Sequence, residues 1–221
     1  MVVTMRSNLT IGLVVYNEHD RLPAWLDHWT QFDYPIIIVD QSSTDGTADL
    51  IPEGIDTITT PCRGIAELDR NLLQQCVDGW LLCVDVDEFM DEDRIARMLE
   101  IAESQPKVNA WWIRWKNWVD GHDISKIHAH PSDQPGIPGC DWHIRLSKGH
   151  VIFYDGTPHK HPEVRCRWAV MDGNEVWVDH RREWKHLKAR NRRRNEYLDD
   201  RSIQMQEGYI RRVAEMIGEE V

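Results

Sequence analysis

The first half of the chain is built of short apolar runs separated by polar segments with helical spacing. Runs rich in Val, Ile, Leu and Trp have the length of buried strands, and they occupy residues 10–16, 36–39, 80–84 and 108–115. Apolar residues three and four positions apart predict amphipathic helices after Pro23, over 65–77 and from 91–93 to 102. A Ser-, Asp- and Gly-rich turn at 41–46 predicts a further short helix up to Ile51.

Each predicted strand ends in polar residues and leads into a predicted helix. This order predicts an α/β fold with an open, mostly parallel sheet, in which ligands bind at the carboxyl ends of the strands. The second half is less regular, and residues 119–141 hold several prolines and glycines that predict a long surface loop. Short strands are expected at 142–146 and 151–154, and a helix from Glu183 onward with an interruption near 199–202.

The composition indicates a globular chain without a membrane span or a disulfide framework. The 221 residues are 41% hydrophobic, and no apolar run approaches the roughly 18 residues of a transmembrane helix. The five cysteines are odd in number and contain no C-x-x-C pair. We therefore expect reduced thiols, no transmembrane segment and a cytoplasmic location.

The charge is divided unevenly along the chain. The net charge is −11, from 26 basic and 37 acidic residues. Residues 181–221 hold 11 basic and 8 acidic residues, so they carry +3 and leave −14 for residues 1–180. We expect a basic helix from Arg181 to Arg194 that contacts phosphate, in a bound diphosphate, an anionic membrane surface or a nucleic acid. The alternative is a solvated helix that packs on the acidic body.

Two carboxylates follow the third predicted strand, Asp85 and Asp87. Residues two apart on an extended segment project to the same face, so both carboxylates can approach one cation. Carboxylate oxygens, completed by water and phosphate oxygens, are the ligands that Mg²⁺ or Mn²⁺ prefers. The alternative is a solvated acidic turn in front of the next helix. The sequence therefore predicts a divalent cation site at this strand end.

Four motifs in register carry a family resemblance. They are V-V-Y-N-E at 14–18, V-D-Q-S-S-T-D-G-T at 39–47, R-G at 63–64 with R-N at 70–71, and G-W at 79–80 leading into V-D-V-D-E-F at 84–89. Over residues 10–90 the chain resembles the family 2 glycosyltransferases of the GT-A fold. The resemblance implies an inverting, metal-dependent transfer of a sugar from a nucleotide-diphosphate sugar to a hydroxyl acceptor. That acceptor would be a glycan, a lipid-linked sugar or a modified nucleic acid.

The resemblance also implies roles for residues at the strand ends. Asp40 would accept a hydrogen bond from uracil or a similar base, and Asn17 and Glu18 would frame the base and the ribose. Arg70 would neutralise the diphosphate, and Asp85 would lie beside it in the nucleotide-sugar site. For Asp40 the alternative is a cap of the Ser-rich turn, and for Arg70 it is an ion pair on the surface of its helix.

On the acceptor side, Asp141 is the candidate catalytic base. An inverting transfer needs a carboxylate to take the proton of the acceptor hydroxyl, and Asp141 precedes a strand similar to the one that these enzymes place there. Cys140 stands where many family members have the first residue of a Glu-Asp pair, which puts this assignment in doubt. Glu88 and Asp155 remain alternatives, and Glu88 could instead support the metal site from behind.

Histidine is the expected further metal ligand. The resemblance places a histidine in front of the final helix, and His180 fits that spacing better than His186. His159, in a G-T-P-H-K-H segment, is another alternative. We therefore expect Asp85, Asp87 and His180 to hold Mn²⁺ or Mg²⁺.

The resemblance suggests a single GT-A domain over 1–221. Its Rossmann-like nucleotide-binding half would be 1–118, an acceptor region 119–182 and a helical basic tail 183–221. A rival hypothesis is a non-catalytic binding module for nucleic acid or carbohydrate, using the basic tail and the tryptophans at 111, 112, 115 and 118. A nucleotidyltransferase is disfavoured, because it would need a Gly-rich basic loop after the first strand.

Overall fold

The computed structural model describes residues 9–61, 66–125, 142–148, 152–153, 163–187 and 200–219. In this part of the chain the strands are β1 (Leu9–Val15), β2 (Ile36–Asp40), β3 (Asp56–Thr59), β4 (Trp80–Cys83), β5 (Glu88–Phe89), β6 (Ala110–Val119), β7 (His122–Asp123), β8 (Trp142–Lys148), β9 (Ile152–Phe153), β10 (Glu163–Val164), β11 (Trp168–Val170) and β12 (Trp177–Arg182). The helices are α1 (Leu22–Trp29), α2 (Ala66–Gln75), α3 (Glu92–Ser104) and α4 (Asp200–Ile217), with a 3₁₀ turn at Ala48–Leu50.

One sheet organises the molecule, with the strand order β3-β2-β1-β4-β8-β6-β12-β5 and with β7 and β11 paired to β6. The strands β3, β2, β1 and β4 are parallel, whereas β8 runs antiparallel to both β4 and β6. The predicted α/β class is confirmed, and the continuously parallel stretch lies in the first half of the chain. Only residues 84–87 connect β4 to β5, although β8, β6 and β12 lie between them in the sheet. The sheet therefore curls.

The central strand β1 is apolar because helices cover both of its faces. On one face α1 buries Trp25 and Trp29 in the main core. On the other face α2 packs against β1 and β2, with Leu73 in a second buried cluster. Gly12 lies on that face, and a Cβ atom there would come within 2.7 Å of Leu81 Cδ1 on β4 and within 3.2 Å of Leu73 Cδ1 on α2. Glycine thus permits the close approach of α2 to the sheet.

The last helix, α4, packs through its apolar face on the end of β6. Ile210 and Val213 of α4 share a buried cluster with Val119 and Trp184. This contact accounts for the helical periodicity near the carboxyl end of the chain. In the described ranges, no helix combines the length and the apolar character needed to cross a bilayer.

In the first half of the chain most predicted strands and helices are present, with ends shifted by a few residues. In the second half the observed elements differ more from the predicted ones. The strand β12 was not predicted, because its sequence, W-V-D-H-R-R, is polar and becomes buried only through tertiary contacts. Arg181 and Arg182 were assigned to a basic helix, and this is wrong: both lie in β12, and the helical turn begins at Trp184. Residues 188–194 of that basic segment and residues 126–141 of the predicted loop lie outside the described residues.

Candidate active site

The loops that follow β1 and β2 are joined by hydrogen bonds at the carboxyl edge of the parallel strands. The Asn17 N–H donates to Ser43 Oγ at 2.9 Å, and the Thr44 N–H donates to Asn17 Oδ1 at 2.8 Å. The Glu18 N–H donates to Thr47 Oγ1 at 2.8 Å. Asn17 has a φ of 55°, a left-handed conformation that asparagine adopts more readily than most residues. The two loops therefore form one continuous rim above the sheet.

Asp40, the last residue of β2, is buried below this rim. Its carboxylate accepts hydrogen bonds from the Ser43 N–H at 3.2 Å and from the Ser43 hydroxyl at 2.5 Å. These are the contacts of the capping alternative, and a carboxylate has room for further donors beside them. Asp69 of α2 accepts hydrogen bonds from Gln41 Nε2 and from Thr60 Oγ1. Asp69 thereby fixes α2 against the loop that follows β2.

Asp85 follows β4 and lies between two guanidinium groups. Arg70 of α2 forms an ion pair with Asp85 Oδ1, and Nη2 of Arg145, on β8, lies 2.8 Å from Asp85 Oδ2. The same arginine contacts Glu88 Oε1, and Glu88 Oε2 accepts the Asp85 N–H at 3.0 Å. The side chains of Arg145 and Glu88 are 2% and 0% exposed. One buried arginine thus joins the two carboxylates, and Asp85 is the partner of Arg70 in this structure.

Burial and charge act in opposite directions on these carboxylates. Burial would raise the pKa of Asp85, but Arg70 and Arg145 outweigh it and hold that pKa well below its usual range. Burial raises the pKa of Glu88 to about 7, and Arg145 only partly opposes this. Asp85 is therefore ionised at neutral pH. Glu88 shares its one guanidinium partner, Arg145, with Asp85, and with a pKa of about 7 it is the group that titrates there.

Asp87 meets His180 because of the register of β12, which lies between β5 and β6. The pairing sets His180 opposite Glu88 on one side and opposite Asn117 on the other. His180 Nε2 lies 3.3 Å from Asp87 Oδ2, and His180 Nδ1 lies 2.9 Å from Asn117 Oδ1. Burial lowers the pKa of His180, and Asp87 only partly offsets this. The ring is thus neutral near pH 7, with Nδ1–H donated to Asn117 and the Nε2 lone pair as the acceptor of the ring.

Asp87 and His180 fit a divalent cation. Two ligands at right angles on one ion, each at about 2.1 Å, lie about 3.0 Å apart, and the two ligand atoms here are separated by 3.3 Å. The bond from His180 Nδ1 to Asn117 is the support that orients a metal-binding histidine. Among the described residues, no three His, Cys, Asp or Glu side chains form a ready cation site. The remaining ligands would therefore be water and phosphate oxygens.

The tryptophan cluster of β6 is divided between the core and the site. Trp111 and Trp112 are both buried, so they serve packing. Trp115 stacks on His143, with ring centroids 3.6 Å apart, and its centroid lies 4.1 Å from that of His180. Trp115 thus packs against His180 and holds its ring in place.

A cavity of about 1470 Å³ opens beside Asp87. Its wall is formed by the start of α1, the segment between β4 and β5, and the end of β12 with the turn that follows. Of the predicted site residues that the structure describes, Asn17, Glu18 and Asp87 line the cavity. Arg21 also lines it, pairs with Glu18, and holds Nη1 3.5 Å from Asp87 Oδ2. The cavity wall thus carries both carboxylate and guanidinium groups.

Two arginines of this site, Arg21 and Arg145, were not assigned to it from the sequence, and Arg182 was considered only as part of the predicted basic helix. Arg145 alternates with His143 in an otherwise apolar strand, and a charge in such a run is a signal for a buried partner. The predicted base Asp141 lies outside the described residues, as do its alternative Asp155 and the histidine alternative His159.

His186, the other histidine alternative, lines the cavity, and its Nδ1 lies 3.9 Å from Glu183 Oε1. His180, by contrast, lies beside Asp87. The structure therefore brings together two of the three predicted metal ligands, Asp87 and His180, while Asp85 faces Arg70 and Arg145.

Sequence comparison places the chain in a known family. Residues 10–165 match the family model of Glycosyl transferase family 2. This match covers more than half of the 221 residues, so the chain belongs to that family. The predicted family resemblance is confirmed, and the match extends beyond the motifs in residues 10–90 through β8 to residue 165.

Individual relatives match shorter stretches. The lipopolysaccharide core biosynthesis glycosyltransferase LpsC of Rhizobium meliloti (strain 1021) is 30% identical over 93 residues, which are 39% of this chain and 34% of that protein. A poly-beta-1,6-N-acetyl-D-glucosamine synthase of Staphylococcus aureus (strain MSSA476) is 31% identical over 111 residues, or 46% of this chain and 27% of that protein. The chain thus spans about a third or less of these curated relatives.

Among solved structures, the chain is similar to the mannosyltransferase PcManGT from Pyrobaculum calidifontis in complex with GDP-Man and Mn²⁺. The similarity has a TM-score of 0.41 and 26% identity, and covers 49% of this chain and 35% of that one.

Proposed function

We propose that this chain is a glycosyltransferase that moves a sugar from a nucleotide-diphosphate sugar to a hydroxyl acceptor, with inversion and with Mn²⁺ or Mg²⁺. The observation that supports this most is the 3.3 Å approach of His180 Nε2 to Asp87 Oδ2 at the wall of a large cavity, in a chain of this family. A carboxylate and a neutral imidazole beside a space large enough for a nucleotide sugar suit a cation that carries a diphosphate.

The nucleotide would bind along the rim formed by the loops after β1 and β2. Asn17 and Glu18 face the cavity from this rim and would contact the base and the ribose. Asp40 would accept a base N–H beside its present contacts with Ser43. Arg21 lines the cavity and would contact the diphosphate, whereas Arg70 supports Asp85.

The bound cation would neutralise charge on the departing diphosphate. Asp87 and His180 would hold this cation, and Asn117 would keep the His180 ring oriented. Asp85 stays ionised between Arg70 and Arg145 and contributes negative charge beside the donor. Asp141 remains the proposed base that takes the proton of the acceptor hydroxyl. The acceptor class stays open among a glycan, a lipid-linked sugar and a nucleic acid.

A thermal-shift panel tests the donor and the cation together. UDP-, GDP-, dTDP- and CDP-sugars are added with Mn²⁺ or with EDTA to the wild type, to Asp87→Asn and to Asp56→Asn, an exposed carboxylate of β3. We expect one nucleotide class to stabilise the wild type by roughly 2–4 kcal/mol at saturation, with Mn²⁺ only. Asp56→Asn should keep this shift and Asp87→Asn should lose it.

The other possible results of the panel each contradict a different part of the proposal. No shift with any donor would contradict the transferase and favour a non-catalytic binding module. A full shift in EDTA would contradict the metal dependence alone. A full shift in Asp87→Asn with Mn²⁺ would remove Asp87 from the proposed cation site.

A further inference from the structure

Arg182 approaches the same nitrogen of His180 that a cation would use. His180 and Arg182 are two residues apart on β12, so their side chains project to the same face of the strand. Arg182 Nε and Nη2 lie 3.2 Å and 3.1 Å from His180 Nε2. Because Nδ1–H is donated to Asn117, Nε2 is the acceptor for the guanidinium N–H groups.

A neutral imidazole has one lone pair at Nε2, and it can serve either a guanidinium N–H or a metal ion. Asp87, the other proposed cation ligand, also has a guanidinium group beside it, since Arg21 Nη1 lies 3.5 Å from Asp87 Oδ2. Two guanidinium groups thus place a charge of +2 around the His180–Asp87 pair. Arg182 would lie next to any dication bound there, and like charges at such a separation repel strongly inside a protein.

We propose that Arg182 competes with the divalent cation for His180 Nε2, so that its guanidinium must leave this nitrogen before the cation can bind. Arg182 is then a positioning residue that holds the ligand pair in its cation-free arrangement and weakens the binding of the cation alone. The inference rests on the proposed role of Asp87 and His180 as cation ligands. Arg182 lines the cavity, so space for the displaced side chain is available.

The test measures Mn²⁺ binding to the whole chain without any substrate, by electron paramagnetic resonance of free Mn²⁺. We expect Arg182→Ala to bind Mn²⁺ about tenfold more tightly than the wild type, because one positive charge beside the ion is removed. Arg182→Lys keeps that charge and should stay within about threefold of the wild type.

Arg181→Ala is the matched control. Arg181 is adjacent in sequence, but it projects to the opposite face of β12, where its guanidinium lies 4.9 Å from the ring centroid of Phe89. Its removal should change the Mn²⁺ affinity by less than about threefold, since the charge is farther from the ligand pair. Should Arg182→Ala fold poorly by circular dichroism, Arg182→Gln, which also removes the charge, takes its place with the same expected gain.

An unchanged or weaker Mn²⁺ affinity in a folded Arg182→Ala or Arg182→Gln would overturn the inference. The absence of Mn²⁺ binding in both the wild type and the variant would overturn it too. An equal gain in Arg181→Ala would overturn it as well, because general charge would then explain the effect. The donor panel decides the proposed function separately. Suppose that a nucleotide sugar with Mn²⁺ stabilises the wild type, while the Arg182 variant shows no gain in Mn²⁺ affinity. The inference about Arg182 would then fail, and the proposed function would still be supported.

Discussion

Replacing Arg145 by methionine should destabilise the fold severely, because this side chain neutralises a buried carboxylate. Its Nη2 contacts both Glu88 and Asp85, and the side chains of Arg145 and Glu88 are 2% and 0% exposed. Methionine preserves much of the volume but leaves Glu88 without a cation. Removal of one partner of a buried ion pair costs about 3–5 kcal/mol. This is a large part of the roughly 5–15 kcal/mol by which a domain is stable.

The stability lost in Arg145→Met should increase as the pH rises. The pKa of Glu88 is raised in the folded protein to about 7 from 4.5. Its protonation therefore stabilises the fold below pH 4.5, and this contribution is lost as the pH rises through about 7. Without Arg145 the pKa of Glu88 rises further, and each added unit enlarges the deficit at high pH by about 1.4 kcal/mol. The deficit should thus be largest at pH 8.5 and smallest at pH 5.

Urea unfolding of the wild type and Arg145→Met at pH 5, 7 and 8.5 measures this directly. Arg97→Met is the control, since Arg97 pairs with Glu100 and Glu175 on the surface of α3, and its loss should cost at most about 1 kcal/mol at every pH. A deficit in Arg145→Met that is below about 1 kcal/mol, or that does not grow with pH, would refute the assignment of Arg145 as the counter-charge of Glu88.

Two further substitutions test the packing that positions the site. Gly12→Ala should lower the free energy of unfolding by about 1–3 kcal/mol in a urea titration, because its Cβ would meet the buried Leu81 Cδ1, at 2.7 Å. An unchanged stability would mean that the Leu81 side chain can turn away without loss of packing. Asp91→Ala removes the cap of α3, where the carboxylate accepts the Arg94 N–H at 2.8 Å. It should lower Tm by about 2–4 °C in calorimetry, and a Tm equal to that of the wild type would contradict the capping role.

Elements with a clear hydrophobic period could be predicted from the sequence. The strands β1, β2 and β4 are apolar because helices cover them, and α3 shows its buried face in the spacing of Ile95, Met98, Leu99 and Ala102. The strand β3 could not be predicted, because D-T-I-T is short and exposed at the sheet edge. The short strand β5 exists only because β12 pairs with it. The partner of β5 is about 90 residues away in the sequence, so no local pattern could reveal it.

The sequence by itself determined that Asp40, Asp85 and Asp87 lie at the carboxyl edge of a parallel sheet, because apolar runs that end in polar residues fix the strand ends locally. It also determined the family. Only the tertiary structure decided how the charges pair. Asp85 meets Arg145 across 60 residues and Asp87 meets His180 through the register of β12. The physical reason is that strand direction and side-chain period are local properties, whereas the neutralisation of a buried charge depends on which strands become neighbours when the sheet curls.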